Sequence, residues 1–228
     1  MKTIELLKKL EGKPVFKVQD IERICNCKRE YAKLILYRLR KRGLIKRVTK
    51  NVYTLKDDIW VIASNITYPS YISFWSASYF YGYTEQIVNT IQLATYKKRE
   101  PILFENYLIK FIPIKYLFGF RKLRTENGSL FIAEPEKLLI DAFLKPEECG
   151  NFSEILKIYE NSKISEEKVV RYLKMIKKES VVRRVGYLLE KIKGIDISKH
   201  FSFGKNYLLL NPFSKSWKKI DAKWRVKI

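Results

Sequence analysis

The pattern of apolar and polar positions in the first 56 residues predicts three helices followed by a β-hairpin. Apolar residues recur every three or four positions in three segments, and the predicted helices are residues 3–10, 18–24 and 28–42. Thr3 is predicted to cap the first helix, and Gly43 to end the third. Two short segments, 44–48 and 52–55, flank the polar turn Thr49-Lys50-Asn51 and predict the strands of the hairpin. This order of elements is that of a winged helix-turn-helix.

The third predicted helix has one apolar face and one basic face. At 100° per residue, a single apolar arc is formed by Ala32, Ile35, Leu36 and Leu39. The opposite arc and the N-terminal entry of the helix carry mainly basic residues, namely Lys28, Arg29, Glu30, Lys33, Tyr37 and Lys41. Leu34 is an apolar residue near this outward arc, and we interpret it as a contact with another domain or with a second copy of the chain. A homodimer is therefore one expectation.

A winged helix-turn-helix inserts the N-terminal half of its third helix into the major groove of DNA. We therefore predict that Lys28, Arg29 and Lys33 contact base edges and nearby phosphates, and that Tyr37 packs on a sugar or phosphate. The later cations of the helix and those of the wing are predicted to hold the backbone or to reach the minor groove; they are Arg38, Lys41, Lys46, Arg47 and Lys50. The alternative is a solvated basic surface with no nucleic acid partner.

The charge of the chain is concentrated at its two ends. The sequence has 46 Lys and Arg against 24 Asp and Glu, a formal net charge of +22 over 228 residues. Residues 1–56 carry a net charge of +12, residues 57–150 one of −1, and residues 151–228 one of +11. A uniformly Lys-rich surface would not leave the middle third neutral. The division predicts separate modules, of which at least one faces a polyanion.

Residues 57–150 predict a small α+β domain with a mainly antiparallel sheet. The predicted strands are 90–95, 101–105, 107–113, 118–124 and 129–132. Asn127-Gly128 is a two-residue hairpin signal between the last two strands. Ser70 is predicted to cap a helix over 71–81, and Pro135 to begin another helix.

Residues 151–228 predict a basic helical subdomain. The predicted helices are 152–159, 166–176 and 181–192, and short strands follow at 207–210 and 224–226. A candidate second basic face consists of Lys174, Lys177, Lys178, Arg183, Arg184, Lys215, Lys218 and Lys219. The predicted fold is thus α+β, with an N-terminal winged helix-turn-helix (1–56), an antiparallel-sheet α+β domain (57–150) and a C-terminal helical subdomain (151–228).

Composition excludes several kinds of site. A single histidine and three cysteines leave little for a zinc site or a His-based triad, and we expect no metal and no cofactor. Cys25 and Cys27 lack a second ligand pair, so we interpret them as half-buried residues in the turn before the third helix. Apolar runs such as 59–63 are far shorter than the ~18 residues of a membrane span, and the N-terminus lacks an apolar signal core. These features predict a soluble cytoplasmic protein with no membrane partner.

Four stretches of the chain resemble the AbiEi-like antitoxins, which are transcriptional regulators of type IV toxin–antitoxin and abortive-infection systems. The stretches are YISFWSASYFYGYTEQ at 71–86, IAEPEKLLIDA at 132–142, VRRVGYLL at 182–189 and WRV at 224–226. They follow the predicted winged helix in the family's order, and the resemblance extends over most of the chain.

The resemblance implies an N-terminal DNA-binding domain that represses the protein's own operon, within an antiviral defence system. It also implies a C-terminal region that counteracts a nucleotidyltransferase-like toxin, usually without a stable toxin–antitoxin complex. Double-stranded operator DNA and a cognate toxin are therefore the expected partners. The chain departs from the family in the basicity of its C-terminal third and in the Lys50-Asn51 wing tip, where glycine is expected.

Two other functions remain open from the sequence. A nuclease needs clustered carboxylates and a nearby lysine to hold Mg²⁺, and the nearest fragments are Glu134-Pro135-Glu136-Lys137 and Asp221-Ala222-Lys223. The first is better explained as a helix start, where the helix dipole favours acids, and the second has no evident partner. We therefore expect no enzymatic activity. The other alternative is an antitoxin that binds its toxin directly.

Overall fold

The structure, a computed structural model, describes residues 2–228 of the chain. Its N-terminal part contains α1 (Thr3–Glu11), β1 (Phe16–Lys17), α2 (Val18–Cys25), α3 (Arg29–Lys41), β2 (Lys46–Thr49) and β3 (Val52–Thr54). The strands form an antiparallel sheet in the order β1-β3-β2. This arrangement is consistent with the predicted winged helix-turn-helix. Thr3 is the first helical residue rather than the cap: Lys2 precedes the helix, and its backbone N–H donates to the Glu5 carboxylate.

The N-terminal domain has its own hydrophobic core. Its most deeply buried side chains include Leu10, Phe16, Ile21, Ala32 and Leu36. A turn at Asn26 joins α2 to α3, and its φ of 47° lies in the left-handed region that asparagine tolerates. Cys25 and Cys27 on either side of this turn are half-buried free thiols, as we interpreted them from the sequence.

The rest of the chain is a mixture of helices and strands, so the α+β class is confirmed. The first group of elements is α4 (Ile59–Asn65), β4 (Ser70–Ile72), α5 (Phe74–Phe80), β5 (Thr90–Thr95), β6 (Ile102–Phe104), β7 (Tyr107–Pro113), β8 (Phe120–Thr125), β9 (Gly128–Ala133) and α6 (Pro135–Leu144). The second group is α7 (Phe152–Asn161), α8 (Glu166–Met175), α9 (Glu179–Lys193), β10 (Leu208–Leu209), β11 (Ile220–Asp221) and β12 (Val226–Lys227). Within residues 2–228, no helix has both the length and the apolar character that crossing a bilayer requires.

Strands β4 to β9 form one six-stranded sheet in the order β6-β7-β5-β4-β9-β8. The sheet is mainly antiparallel, as expected, although two of its five strand pairings, β5 with β7 and β4 with β9, are parallel. The other three pairings are antiparallel. Strand β6 lies two positions from β5, and β7 turns back into the gap between them, so β7 runs in the same direction as β5. The predicted hairpin is β8–β9, with Thr125 paired to Gly128 and residues 126–127 forming the turn.

The helix predicted over 71–81 is shorter than expected. Residues Ser70–Ile72 form strand β4, and α5 begins only at Phe74, so Ser73 and not Ser70 precedes the helix. Ile72 pairs with β5 on one side and with Ile132 of β9 on the other. An apolar run without a polar face fits a buried strand and a buried helix equally well, and pairing within the sheet decided between them.

One hydrophobic core extends from Val48 to Val226. It includes Tyr71 in the predicted middle domain and Trp224 in the predicted C-terminal subdomain, both fully buried. The segments 57–150 and 151–228 therefore share a single core. Val48 and Val52 of the β2–β3 hairpin, which we call the wing, belong to this core as well.

Candidate nucleic-acid interface

Helix α3 separates buried apolar residues from exposed basic ones. Ala32 and Leu36 are fully buried and Leu39 nearly so, which anchors the helix in the N-terminal core. The opposite side is exposed along its whole length and presents Lys28, Arg29, Lys33, Tyr37, Arg38 and Lys41. Half-buried Ile35 lies at the edge between the two faces. This exposed side of α3 is the candidate DNA-binding face.

Two cations of this face have acidic neighbours. Lys33 Nζ lies 2.7 Å from Glu30 Oε1, and Arg29 Nη1 lies 3.5 Å from Glu22 Oε2. Exposed pairs of this kind contribute about 0–1 kcal/mol. Lys33 or Arg29 can therefore replace its carboxylate partner by a DNA phosphate with little loss of free energy.

Apolar surface lies among these charges. Tyr37 is 53% exposed and Leu34 is 39% exposed, and both project from the side of α3 that carries Lys33. Leu34 is thus not covered by another domain of the described chain, which was one interpretation of it. An aromatic ring and an aliphatic side chain in a basic face suit contact with deoxyribose and with thymine methyl groups.

The wing tip is a left-handed turn that uses asparagine in place of the expected glycine. Asn51 has a φ of 62°, and asparagine is one of the few non-glycine residues that adopt this region routinely. Lys50 beside it is exposed. Arg47 is also exposed, and its Nε donates to the carbonyl of Thr49 at 3.3 Å. The departure from the family pattern therefore leaves a tight turn with a cation at its tip.

Lys46 has two acidic partners within the protein. Its Nζ lies 2.6 Å from Asp57 Oδ1 and 2.7 Å from Glu105 Oε1. Hydrogen bonds to Asp57 and then to Glu105 raise the pKa of Lys46. The pair with Glu105 ties the base of the wing to the turn between β6 and β7, and the pair with Asp57 ties it to the segment between β3 and α4. A DNA contact by Lys46 stays a prediction, and the other eight predicted contact residues are all exposed.

The docking of the wing on the sheet domain was missed in the sequence analysis. Tyr53 faces the N-terminal core and stacks near Phe16 at a centroid distance of 6.3 Å. Val48 and Val52 instead face the large core and are 4% and 7% exposed. The available signal was the presence of apolar residues on both faces of the hairpin, whereas a free wing needs them on one face only.

The EPEK stretch belongs to the protein interior. Lys137 and Asp141, one turn apart on α6, form an ion pair in which both side chains are fully buried. Asp141 Oδ2 also accepts hydrogen bonds from Tyr71 Oη at 3.0 Å and from Ser73 Oγ at 2.7 Å. Burial lowers the pKa of Lys137, although the Asp141 carboxylate opposes this effect. Because all four side chains are enclosed, the network is part of the core and not of an open site.

The carboxylates that suggested a nuclease have structural partners. Glu134 accepts a hydrogen bond from the Tyr172 hydroxyl at 2.7 Å, and Asp221 accepts one from the backbone N–H of Trp224 at 2.8 Å. Glu136 is 5% exposed. Across residues 2–228, no group of three or more His, Cys, Asp or Glu side chains is arranged to hold a metal ion. The absence of enzymatic activity stays a prediction.

Two of the family-like stretches meet inside the protein. Gly186 on α9 lies against the indole ring of Trp224, which is fully buried, and a Cβ at position 186 would overlap with that ring. Trp224 Nε1 donates to Glu190 Oε2 at 2.6 Å, one turn further along α9. The missing side chain at position 186 therefore allows the C-terminal segment to pack on α9.

The candidate second basic face includes two arginines with structural roles. Arg183 is 4% exposed and donates to the carbonyls of Gly204, at 2.8 Å, and Asn206. Arg184 Nε donates to the carbonyl of Leu209 at 2.9 Å. These arginines attach residues 204–209 to α9. The six lysines of the set are exposed.

The fold and the exposed face together describe a mixed α+β protein whose N-terminal domain is consistent with a winged helix-turn-helix. Residues 5–56 match the family model AbiEi_4, described as "Transcriptional regulator, AbiEi antitoxin". This match supports the AbiEi-like family expected from the resemblance, and it does so over the N-terminal domain.

The whole fold is similar to that of a solved protein. The structure titled "Crystal structure of RV2827C protein from Mycobacterium tuberculosis" matches with a TM-score of 0.61 over 97% of this chain and 89% of that chain. The two sequences are 14% identical, so the likeness establishes the fold alone. No curated protein matches the sequence.

Proposed function

We propose that the protein is a sequence-specific DNA-binding repressor that acts as the antitoxin of a type IV toxin–antitoxin system. The observation that carries this proposal is the basic face of α3, exposed along its length, backed by a buried stripe and followed by a wing with exposed Arg47 and Lys50. The match of residues 5–56 to AbiEi antitoxin regulators supports the same function.

Affinity in this proposal comes mainly from neutralised phosphates, because a duplex releases condensed counterions when Lys and Arg side chains bind its backbone. Readout comes from the N-terminal half of α3, where Arg29 and Lys33 can donate to guanine O6 and N7. Leu34 supplies methyl groups for contact with a thymine methyl. Tyr37, further along the helix, packs on the sugar–phosphate backbone.

The bound DNA in this proposal is the operator of the protein's own operon. The toxin is a nucleotidyltransferase-like enzyme that the protein counteracts without a stable complex. Direct toxin binding is the competing mechanism, and co-purification with the product of the adjacent gene distinguishes the two. Sedimentation without DNA tests the predicted homodimer, and a plasmid-nicking assay with Mg²⁺ tests the expected absence of nuclease activity.

A fluorescence titration tests the DNA-binding proposal directly. The probe is a labelled duplex from the region upstream of the gene, with a scrambled duplex of equal length and composition as the reference. We expect the upstream duplex to bind about 10³-fold more tightly or better at 0.1 M salt. Equal affinity for both duplexes, or no binding at low salt, would contradict the proposal.

Replacing Arg29 by alanine should relax sequence preference. Loss of its base contact is expected to weaken the binding free energy for the operator by about 1–3 kcal/mol, and that for the scrambled duplex by much less. The competition ratio between the two duplexes measures this effect. Arg171→Ala removes the same charge from an exposed position on α8 and should leave the ratio unchanged. An unchanged ratio in Arg29→Ala would show that the assigned face is wrong.

Replacing Lys50 by alanine should weaken binding to all duplexes alike, since a wing-tip cation contacts phosphate and not bases. The slope of log K against log salt should decrease in magnitude by about 0.9, the value for one phosphate contact. Lys163→Ala, at an exposed position between α7 and α8, is the matched control. A salt slope equal to that of the wild type would remove Lys50 from the interface.

A further inference from the structure

A cleft of about 480 Å³ lies between the wing and the loop that joins β5 to β6. Its polar and charged lining comes from both sides and includes Lys17, Lys50, Asn51, Arg99 and Glu100. Ile66 and Phe111, which are 5% and 4% exposed, contribute apolar side chains to the same lining. The cleft thus lies between the predicted DNA-binding domain and the domain whose net charge is close to zero.

Several contacts hold the two sides of the cleft in place. Val52 is buried in the large core, and the ion pair of Lys46 with Glu105 connects the wing to the sheet domain at 2.7 Å. On the loop side, Thr95 Oγ1 donates to the carbonyl of Lys97 at 2.9 Å, and the Arg99 guanidinium lies 6.0 Å above the centre of the Phe111 ring. Arg99 is an exposed side chain whose aromatic neighbour, Phe111, belongs to its own domain.

The strand register places Lys17 on the face of the small sheet that borders the cleft. Lys17 of β1 and Thr49 of β2 are both paired with Val52 of β3, so the three residues form one row across the sheet. Side chains in such a row point to the same side, and Val52 points toward the sheet domain. Lys17 consequently shares the cleft side with the wing tip, one residue before the start of α2.

The cleft is electropositive. Three cations and one carboxylate among its lining residues leave a net charge of +2, and Lys97 and Lys98 are exposed on the same loop. A duplex whose phosphates contact Lys50 at the wing tip carries further phosphates every few ångströms along the same strand. Positive charge beside the wing tip therefore complements the part of the backbone that continues past the wing.

We propose that this cleft, through Arg99 and Lys17, binds a DNA backbone phosphate next to the one contacted by the wing. The inference rests on the proposed function and extends the interface from the N-terminal domain to the sheet domain. Val48 and Val52 dock the wing on the large core, so the wing tip and the loop that carries Arg99 keep their relative position. A flexible connection between the two domains would not align them. The contact adds affinity and register without reading bases.

Replacing Arg99 by alanine tests the inference with the upstream duplex described above. We expect affinity at 0.1 M salt to decrease about three- to tenfold, and the salt slope to decrease in magnitude by about 0.9. The ratio of upstream to scrambled duplex should stay unchanged. Arg99→Lys keeps the charge and should retain most of the slope, and Glu100→Gln should tighten binding, an effect that a loss of structure cannot imitate. Arg171→Ala is the control for loss of one distant charge.

The outcomes separate this inference from the proposed function. If Arg29→Ala changes operator binding and Arg99→Ala does not, the repressor function stands and the cleft assignment is overturned. If the wild type fails to bind duplexes, both are overturned. If Arg99→Ala binds DNA normally but loses antagonism of the toxin, the cleft serves another anionic partner, which also overturns the assignment.

Discussion

Replacing Lys137 by methionine should lower the free energy of unfolding by about 3–5 kcal/mol. The substitution removes the ammonium group but leaves the Asp141 carboxylate in a fully buried position. Hydrogen bonds from Tyr71 and Ser73 remain, yet they cannot supply the lost positive charge. The cost is therefore that of an unpaired charge in the core, and equilibrium denaturation in urea measures it.

A matched control is available at the end of the same helix. Lys145 forms an exposed pair with Glu147 at 3.6 Å, and Lys145→Met should change stability by less than about 1 kcal/mol. The double variant Lys137→Met/Asp141→Asn removes both charges and should recover a large part of the loss. If Lys137→Met were as stable as the wild type, or if the double variant were no more stable than the single one, the buried pair would not have this role.

Replacing Gly186 by valine should cost about 3 kcal/mol or more of unfolding free energy, because the new side chain overlaps with the Trp224 ring. The strain falls on a fully buried tryptophan that also donates to Glu190. A change in tryptophan fluorescence should accompany the loss of stability. Thermal and urea unfolding of the purified variant measure both effects.

A double-mutant cycle makes this second prediction specific. Trp224→Leu removes the ring with which the valine overlaps. The double variant should therefore lose less free energy of unfolding than the sum of the losses in Gly186→Val and Trp224→Leu. Gly12→Ala is the control, since a Cβ at Gly12 meets no atom within 4 Å and the φ of −73° suits alanine. Strict additivity in the cycle would show that the two positions do not interact.

These two predictions also explain the stretches that resemble the AbiEi-like family. The first and second stretches meet through Tyr71, Ser73, Lys137 and Asp141, and the third and fourth meet through Gly186 and Trp224. Their residues are therefore constrained by packing and by buried charge. Such stretches report on the fold of the chain and carry no direct information about its binding face.

Much of the N-terminal domain could be predicted because its signals are local. The 3.6-residue period of α3 places Ala32 and Leu36 inside and Lys33 and Tyr37 outside, and the structure agrees. The bounds of β5 and β7 were also predictable from apolar runs between turns. Period and turn signals act over a few residues, so they are readable without knowledge of distant partners.

The features that could not be predicted depend on distant partners. Strand β4 looked helical because its apolar residues are enclosed on all sides, and only pairing with β5 and β9 distinguishes the two states. The parallel pairing of β5 with β7 depends on the order in which strands enter the sheet. The ion pairs of Lys46 with Asp57 and Glu105 could not be predicted either, because Glu105 lies far from Lys46 in the sequence.

From the sequence alone it follows that the chain has two basic ends and a two-faced third helix with a hairpin behind it. It also shows a family resemblance, which the match of residues 5–56 supports for the N-terminal domain. Only the folded chain reveals that the wing is docked, that Lys137 is buried against Asp141, and that Arg99 shares a cleft with Lys50. The physical reason is the distance along the chain over which each feature is decided. Periodicity and helix caps depend on residues that are close in the sequence, and net charge follows from composition. Burial, and the meeting of side chains from different segments, depend on which distant segments the core brings together.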